Sequence, residues 1–164
     1  MPRVYVSIGS NIDREKNLRG AVRALATRFG PLTLSRVYET EAVGFAGDNF
    51  YNLVTAFDTE EPVEELSVTL ARIEMQHGRT RGANPFAPRT LDLDLLLYGD
   101  LVRHDGACDI PRPDIKKYAF VLGPLAELAP ESRHPETGQT FTELWRRFSD
   151  PGQKLRRVPL DFRA

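Results

Sequence analysis

The chain has 164 residues, a length that predicts a single domain over residues 1–164 with a substantial hydrophobic core. Hydrophobic residues make up 41% of the chain and charged residues 27%, an ordinary balance for a soluble globular protein. The formal net charge of −1 argues against nucleic acid or an anionic membrane as the main partner, because both need a strong basic excess. With one cysteine, Cys108, and no apolar run that resembles a signal peptide or a membrane span, a cytoplasmic location is expected.

Hydrophobic periodicity and turn residues divide the chain into strands and helices. The predicted elements are a strand at 3–9, a helix at 14–28, strands at 32–39 and 49–58, a helix at 62–77, strands at 90–98 and 101–103, and helices at 119–128 and 141–148. Asp13 is predicted to cap the first helix, and Thr140 with Glu143 forms a capping-box pattern for the last. Residues 149–164 form a basic tail without an assigned structure. This order predicts an α+β sandwich, a mostly antiparallel sheet with packed helices, rather than a doubly wound fold.

The strand at 90–98 carries two aspartates that alternate with leucines. Side chains alternate between the faces of a strand, so Leu91, Leu93 and Leu95 fall on one face and Asp92 and Asp94 on the other. The two carboxylates are then about 6–7 Å apart along the strand, from a rise of about 3.3 Å per residue. Such a pair can share one or two Mg²⁺ ions. The alternative is a half-exposed amphipathic strand whose aspartates are simply solvated.

An arginine-rich segment precedes this strand. It contains Arg79, Arg81 and Arg89 among glycines and prolines, which predicts a mobile loop that carries guanidinium groups. Guanidinium pairs with phosphate through forked hydrogen bonds. The sequence therefore places candidate phosphate ligands beside the candidate metal ligands.

An amide and a loop form a second candidate site. Asn52 lies on an otherwise apolar strand face, where a buried amide needs partners. It could recognise a heterocycle, or it could tie two backbone segments together. The preceding loop at 40–48 has exposed-looking apolar residues, Val43 and Phe45, and predicts either a substrate clamp or a crossover that covers the core edge.

The segment Pro88-Arg89-Thr90-Leu91-Asp92-Leu93-Asp94 resembles the signature of the 6-hydroxymethyl-7,8-dihydropterin pyrophosphokinase family of folate synthesis. The resemblance covers most of the chain. The other segments that carry it are Ile8-Gly9-Ser10-Asn11, Tyr38-x-Thr40, Phe50-Tyr51-Asn52, Gly78-Arg79-x-Arg81, Ala119-Phe120-Val121-Leu122 and Glu127-Leu128-Ala129-Pro130. The resemblance implies a ferredoxin-like sandwich and transfer of diphosphate from ATP to the hydroxymethyl group of a dihydropterin, with AMP as the second product.

The resemblance also implies roles for particular residues, which we state as expectations. The expected catalytic residues are Arg79, Arg89, Asp92 and Asp94, and Asp92 and Asp94 are the expected ligands of two Mg²⁺ ions. The expected pterin contacts are Thr40, Val43, Phe50, Asn52 and Phe120. The expected ATP contacts are Glu74, Arg79, Arg89, Arg112 and Lys116. The protein is expected to act as a monomer on its two small-molecule substrates.

The chain departs from the family pattern near its expected ATP site. Arg112-Pro113 stands where the family commonly has a His-Tyr pair, and Tyr118 stands where an arginine is common. Arg112, Lys116 and Lys117 are expected to restore the positive charge. Two alternatives stay open at this point: a diverged paralogue that acts on a related pterin alcohol, and a pterin- or nucleotide-binding module without turnover.

Overall fold

The computed structural model describes residues 1–41, 49–77, 91–106 and 108–162. The strands are β1 (Arg3–Ser10), β2 (Thr33–Leu34), β3 (Val37–Thr40), β4 (Phe50–Asp58), β5 (Asp92–Tyr98), β6 (Arg103–Asp105), β7 (Cys108–Ile110) and β8 (Arg156–Val158). The helices are α1 (Arg14–Phe29), α2 (Val63–Gln76), α3 (Asp114–Lys117), α4 (Ala119–Leu128) and α5 (Phe141–Arg147).

An antiparallel sheet in the order β5-β1-β4-β3-β8 organises the molecule, and β2 also pairs with β4. Apart from the two-residue strand β2, the chain begins with the elements β1-α1-β3-β4-α2-β5. In the sheet, β1 lies between β4 and β5. This connectivity and strand order confirm the predicted α+β fold of the ferredoxin-like type. A separate two-stranded hairpin is formed by β6 and β7.

Both faces of the sheet are covered, so the protein has three layers. The helices α1 and α2 cover one face, where the core contains Val6, Ile8, Leu25, Leu53, Phe57, Leu66 and Leu93. The helices α3, α4 and α5 cover the other face, where the core contains Val54, Leu96, Ile115, Leu122, Leu125 and Phe141. Each such buried side chain contributes about 1.5–3 kcal/mol by leaving water.

The helices pack on the sheet through apolar residues that recur along one face of each helix. Leu18, Ala21 and Leu25 are buried on α1 at helical spacing, as the sequence predicts. Thr140 accepts a hydrogen bond from the Glu143 backbone N–H at 3.1 Å, which confirms the predicted cap of α5. No described helix is long and apolar enough to cross a membrane.

The predicted cap of α1 is correct in position but not in its side-chain bond. Asp13 is the N-cap residue, but its backbone is left-handed with φ of 44°, and its side chain makes no capping hydrogen bond. Aspartate tolerates this conformation better than most residues. The side-chain amide of Asn17 instead donates to the Ile12 carbonyl at 2.6 Å and closes the turn that enters the helix.

The strand predicted at 32–39 is divided into β2 and β3. Ser35 lies between them, and its hydroxyl accepts a hydrogen bond from the Val54 N–H at 2.9 Å. The backbone N–H of Ser35 donates to the Val54 carbonyl at the same distance. These bonds replace a regular ladder pair where the register with β4 shifts by one residue.

Three further short strands differ from the prediction, and α3 lies where no helix is predicted. The strand predicted at 101–103 begins at Arg103, and residues 108–110, which were expected to be irregular, pair with it as β7. The tail at 149–164 contains β8, which pairs with β3 and extends the sheet. Strands of three residues carry too little periodicity to be recognised in a sequence, and pairing with a distant strand stabilises them.

Candidate functional site

The two aspartates of β5 lie on the sheet face opposite the leucine core, as the alternation predicts. Leu91, Leu93 and Leu95 are buried against α1 and α2, while Asp92 and Asp94 are half-buried. The side chain of Asp94 is 34% exposed. The face that carries the carboxylates is therefore accessible to a ligand.

A single row across the sheet joins Asp92 to Asn52, whose side-chain amide is a predicted pterin contact. Asp92 pairs with Gly9, and Gly9 pairs with Asn52 on its other side. Paired residues of antiparallel strands share a face, and neighbouring strands are about 4.8 Å apart, so Asp92 and Asn52 are separated by about 10 Å. Because Gly9 has no side chain, the Asn52 amide oxygen and the Phe50 ring can approach it closely. A Cβ at Gly9 would lie 2.9 Å from the Asn52 Oδ1 atom.

The predicted pterin contacts on β3 and β4 come together at one end of this row. Asn52 is 3% exposed, and its Nδ2 donates to Thr40 Oγ1 at 2.8 Å. Thr40 pairs with Phe50, so all three side chains lie on the same face. The amide thus ties β3 to β4, which is one of the two roles that the sequence leaves open, and its recognition of a heterocycle stays a prediction.

Phe120 lies in the first turn of α4, in the layer that covers this sheet face. Its ring stacks on Tyr118, with centroids 5.1 Å apart. Tyr118 stands where the family commonly has an arginine, so the chain has an aromatic pair at this position. Val43, the remaining predicted pterin contact, lies outside the described residues.

The strand β3 is also fixed by α4 on the site side. The Tyr38 hydroxyl donates to Glu127 Oε1 at 2.6 Å, and the Arg36 backbone N–H donates to Glu127 Oε2 at 2.8 Å. Burial, followed by the hydrogen bond to Glu127, raises the pKa of Tyr38 to about 12. The phenol therefore stays protonated and continues to donate, and it holds β3 where Thr40 meets Asn52.

A cation lies beside the second aspartate. Arg112 follows a cis Ile110-Pro111 peptide bond, and its backbone N–H donates to the Leu96 carbonyl at 3.0 Å. Its Nη2 lies 3.5 Å from Asp94 Oδ1, and its Nε lies 3.4 Å from Asp114 Oδ2. Burial lowers the pKa of Arg112, but the charges of Asp94 and Asp114 outweigh it and raise the pKa above its ordinary value, so the guanidinium stays charged.

Glu74 connects α2 to the edge of the sheet. Its Oε2 accepts a hydrogen bond from the Leu93 backbone N–H at 2.8 Å, between the two aspartates in sequence. This bond satisfies a backbone donor of β5, which is an edge strand. The contact places Glu74 beside the predicted metal ligands and fixes the position of β5 relative to α2.

A cavity of about 160 Å³ opens at this edge of the sheet, between α2, β5 and β7. Its lining includes Leu70, Glu74, Asp94, Cys108, Ile110 and Arg112. No sequence pattern indicates Leu70, Cys108 and Ile110 as lining residues, because they lie on separate elements that only the fold brings together. Lys116 is exposed on α3, one helical turn after Arg112.

Some expected site residues cannot be placed. Arg79 and Arg89 lie outside the described residues. Within residues 1–41, 49–77, 91–106 and 108–162, no group of three or more His, Cys, Asp and Glu side chains is arranged to hold a metal ion. A metal at Asp92 and Asp94 would take its remaining ligands from substrate and water, as Mg²⁺ commonly does.

Carboxylates and a cation at one end of a sheet row, with a buried amide at the other, fit a small-molecule enzyme of the ferredoxin-like α+β fold. Residues 5–130 match the family model described as 7,8-dihydro-6-hydroxymethylpterin-pyrophosphokinase (HPPK). The chain belongs to this family, which confirms the resemblance seen in its sequence. It is a pyrophosphokinase of folate biosynthesis.

Curated relatives carry the same name. The chain is 40% identical over 143 residues to the 2-amino-4-hydroxy-6-hydroxymethyldihydropteridine pyrophosphokinase of Porphyromonas gingivalis, covering 83% of this chain and 96% of the relative. It is 36% identical over 148 residues to the enzyme of that name from Pseudomonas aeruginosa, covering 87% of this chain and 89% of the relative. It is 37% identical over 155 residues to the Bacillus subtilis enzyme, covering 88% and 91%.

Solved structures share the fold. The wild-type HPPK-DHPS of Plasmodium falciparum superimposes with a TM-score of 0.67 at 13% identity, over 90% of this chain and 44% of that chain. A crystal structure of an HPPK-DHPS in complex with substrates superimposes with a TM-score of 0.68 at 12% identity, over 88% of this chain and 43% of that chain. The present chain therefore spans less than half of these longer proteins.

Proposed function

We propose that the chain transfers the β,γ-diphosphate of ATP to the hydroxymethyl group of 6-hydroxymethyl-7,8-dihydropterin. In this step the hydroxymethyl oxygen bonds to the β-phosphorus, and the bond from that phosphorus to the α,β-bridging oxygen breaks. AMP leaves with the bridging oxygen, and the hydroxyl proton passes to water. The observation that carries the proposal is the row Asp92–Gly9–Asn52, which supports one reacting centre with a phosphate end and a pterin end.

The phosphate end consists of Asp92, Asp94 and Arg112. Two carboxylates on one strand face suit Mg²⁺, which is usually held by one or two carboxylates together with substrate phosphates. We assign two Mg²⁺ ions to this pair; when bound, they neutralise charge on the phosphates and lower the proton affinity of the attacking hydroxyl. Asp92 and Asp94 orient the ions, and the remaining site residues position the substrates.

Arg112 is assigned to the ATP phosphates. Its contact to Asp94 at 3.5 Å is longer than a charge-assisted hydrogen bond of about 2.7–2.9 Å, so it can exchange that carboxylate for a phosphate oxygen without losing a short bond. Lys116, one turn later, adds a second cation. Arg79 and Arg89 are proposed as further phosphate ligands on the sequence motif alone. Glu74 is proposed to contact ATP at the cavity between α2, β5 and β7, which it lines.

The pterin end consists of Thr40, Phe50, Asn52 and Phe120, with Val43 proposed from the sequence. A heterocycle with donors and acceptors suits the Asn52 amide, which the bond to Thr40 holds in one orientation. Phe50 and Phe120 offer aromatic surfaces for the flat ring. Gly9 separates these contacts from Asp92 in one row of the sheet, so the hydroxymethyl group is proposed to point along this row toward the phosphate end.

We also propose that the chain works as one domain, as a monomer and in the cytoplasm. The support for one domain is that a single sheet carries both hydrophobic clusters, so neither layer of helices has a core without it. Size-exclusion chromatography with light scattering tests the monomer, and a stable dimer would contradict it.

Formation of AMP tests the function. Purified protein is incubated with ATP, Mg²⁺ and 6-hydroxymethyl-7,8-dihydropterin, and each component is omitted in turn. The proposal expects AMP and the dihydropterin diphosphate in equal amounts, and no AMP without Mg²⁺ or pterin. Turnover only with a different pterin alcohol would identify the diverged paralogue. Pterin binding without any AMP would identify the module without turnover.

A further inference from the structure

Arg14, the first residue of α1, joins the two strands that carry the proposed pterin contacts. Its Nη1 donates to Glu39 Oε2 at 2.8 Å on β3 and to the Asn49 carbonyl at 3.1 Å, directly before β4. Its guanidinium carbon lies 3.9 Å from the centre of the Tyr51 ring on β4. One side chain therefore contacts β3, β4 and the residue that leads into β4.

Glu39 is the anionic partner in this cluster, and its side chain is only 11% exposed. It also accepts a hydrogen bond from Arg156 of the C-terminal strand β8. Burial raises the pKa of Glu39, but the hydrogen bonds and charges of Arg14 and Arg156 outweigh burial and hold the pKa below its ordinary value. The carboxylate is therefore charged, and it depends on both arginines for its compensation.

The cluster lies directly behind the proposed pterin contacts. Glu39 pairs with Tyr51, and Thr40 pairs with Phe50 in the next row of the same ladder. Successive residues point to opposite faces, so Glu39 and Tyr51 face α1 while Thr40 and Phe50 face the site. A movement of β3 against β4 on the α1 side would change the 2.8 Å bond from Asn52 to Thr40 on the site side.

We propose that Arg14 is a positioning residue for the pterin pocket, acting through Glu39 and the β3–β4 ladder rather than through the substrate. The inference rests on the proposed function, since it takes Thr40 and Asn52 as pterin contacts. Nothing in the sequence pattern pointed to Arg14, because its partners are 25 and 35 positions away.

A matched ion pair at the other end of the same helix provides the control. Arg28, in the last turn of α1, contacts Glu61 Oε1 at 2.5 Å just before α2. Like Arg14, it links α1 to a distant segment, but it lies at the opposite end of the helix from Arg14. Arg28→Ala therefore removes a comparable pair without disturbing the ladder behind Thr40.

The experiment compares Arg14→Ala, Arg14→Lys and Arg28→Ala with the wild-type protein. The measurements are KM for pterin, KM for ATP, kcat, and the Kd of the dihydropterin with an unreactive ATP analogue. Arg14→Ala is expected to raise the KM and Kd for pterin about tenfold, equivalent to about 1.4 kcal/mol, and to leave KM for ATP within about twofold. Arg14→Lys should recover part of the loss, because it keeps the charge but lacks the guanidinium fork. Arg28→Ala should leave pterin affinity unchanged.

Two results would overturn the inference. One is wild-type pterin affinity in Arg14→Ala, and the other is an equal loss in Arg28→Ala, which would indicate general destabilisation. If Arg14→Ala does not fold, the pterin affinity of Arg14→Lys tests the proposal instead. Wild-type pterin affinity in Arg14→Lys would then overturn it. The double variant Arg14→Ala/Glu39→Gln should bind pterin no more weakly than Arg14→Ala alone, because Glu39→Gln removes the buried charge that Arg14 no longer compensates. Wild-type protein that binds pterin but forms no AMP would instead contradict the proposed function, and the binding series would still test Arg14.

Discussion

Gly9 lies so close to Asn52 that a methyl group on its Cα would come within 2.9 Å of the amide oxygen. The absence of a side chain at Gly9 therefore permits the position of the amide, in the row of the sheet that leads to Asp92.

Gly9→Ala should displace the Asn52 amide, because an amide at the end of a side chain moves more easily than the backbone. We expect a loss of stability of about 1–3 kcal/mol from overpacking. We also expect pterin affinity to fall by about tenfold, the effect of about 1.4 kcal/mol. Thermal unfolding and pterin titration measure the two effects. Unchanged pterin affinity with a measurable stability loss would show that the amide does not contact the substrate.

Arg112→Ala should weaken ATP binding and leave pterin binding unchanged. A hydrogen bond to a charged group contributes about 1.5–3 kcal/mol, so KM for ATP should rise by at least about tenfold. Arg23→Ala is the control, since Arg23 is an exposed arginine on α1, which covers the other face of the sheet. Arg112→His, which introduces the residue common in the family, should recover part of the loss. Equal ATP affinities in the wild type, Arg112→Ala and Arg23→Ala would remove Arg112 from the site.

His104 predicts a dependence of stability on pH. Its Nε2 contacts Glu136 Oε1 at 2.9 Å, and its Nδ1 contacts Asp109 on the paired strand β7. The hydrogen bonds to Asp109 and Glu136 raise the pKa of His104 above its ordinary value of 6.5. A raised pKa in the folded state stabilises the protein fully below pH 6.5, and the contribution is lost as pH rises through the folded-state pKa.

His104→Gln isolates this effect. Burial lowers the pKa of His134, so its contribution to stability changes with pH in the opposite direction to that of His104. The pH profile of the wild type alone would therefore mix the two effects. The melting-temperature difference between wild type and His104→Gln should be largest below pH 6.5 and should decrease as the pH rises through the raised pKa of His104. A difference that stays constant across this range would contradict the role of the imidazolium.

Much of the site could be predicted from local alternation. The period-two pattern around Asp92 and Asp94 assigned the carboxylates to one face and the leucines to the core, and the structure confirms that assignment. The same reasoning placed Asn52 with Phe50 and Val54. Alternation works here because a strand with one buried face fixes the direction of every side chain along it.

The relationships between strands could not be predicted in the same way. The role of Gly9 as the spacer between Asp92 and Asn52 depends on β1 lying between β4 and β5, which no local pattern encodes. The contacts of Glu127 with Tyr38 and the Arg36 backbone join segments about 90 residues apart. The strand β8 has three residues and is held by pairing with β3, so its own sequence contains no clear signal.

The central claim is that Asp92 and Asp94 hold the magnesium that reaction with ATP requires. The most direct measurement is AMP release as a function of Mg²⁺ concentration in the wild type, Asp92→Asn and Asp94→Asn, with Asp100→Asn, in the exposed turn after β5, as the control. We expect Asp92→Asn and Asp94→Asn each to stay folded and to lose AMP release at every Mg²⁺ concentration, while Asp100→Asn matches the wild type. Wild-type AMP release and Mg²⁺ dependence in Asp92→Asn and Asp94→Asn would contradict a magnesium site at these two residues.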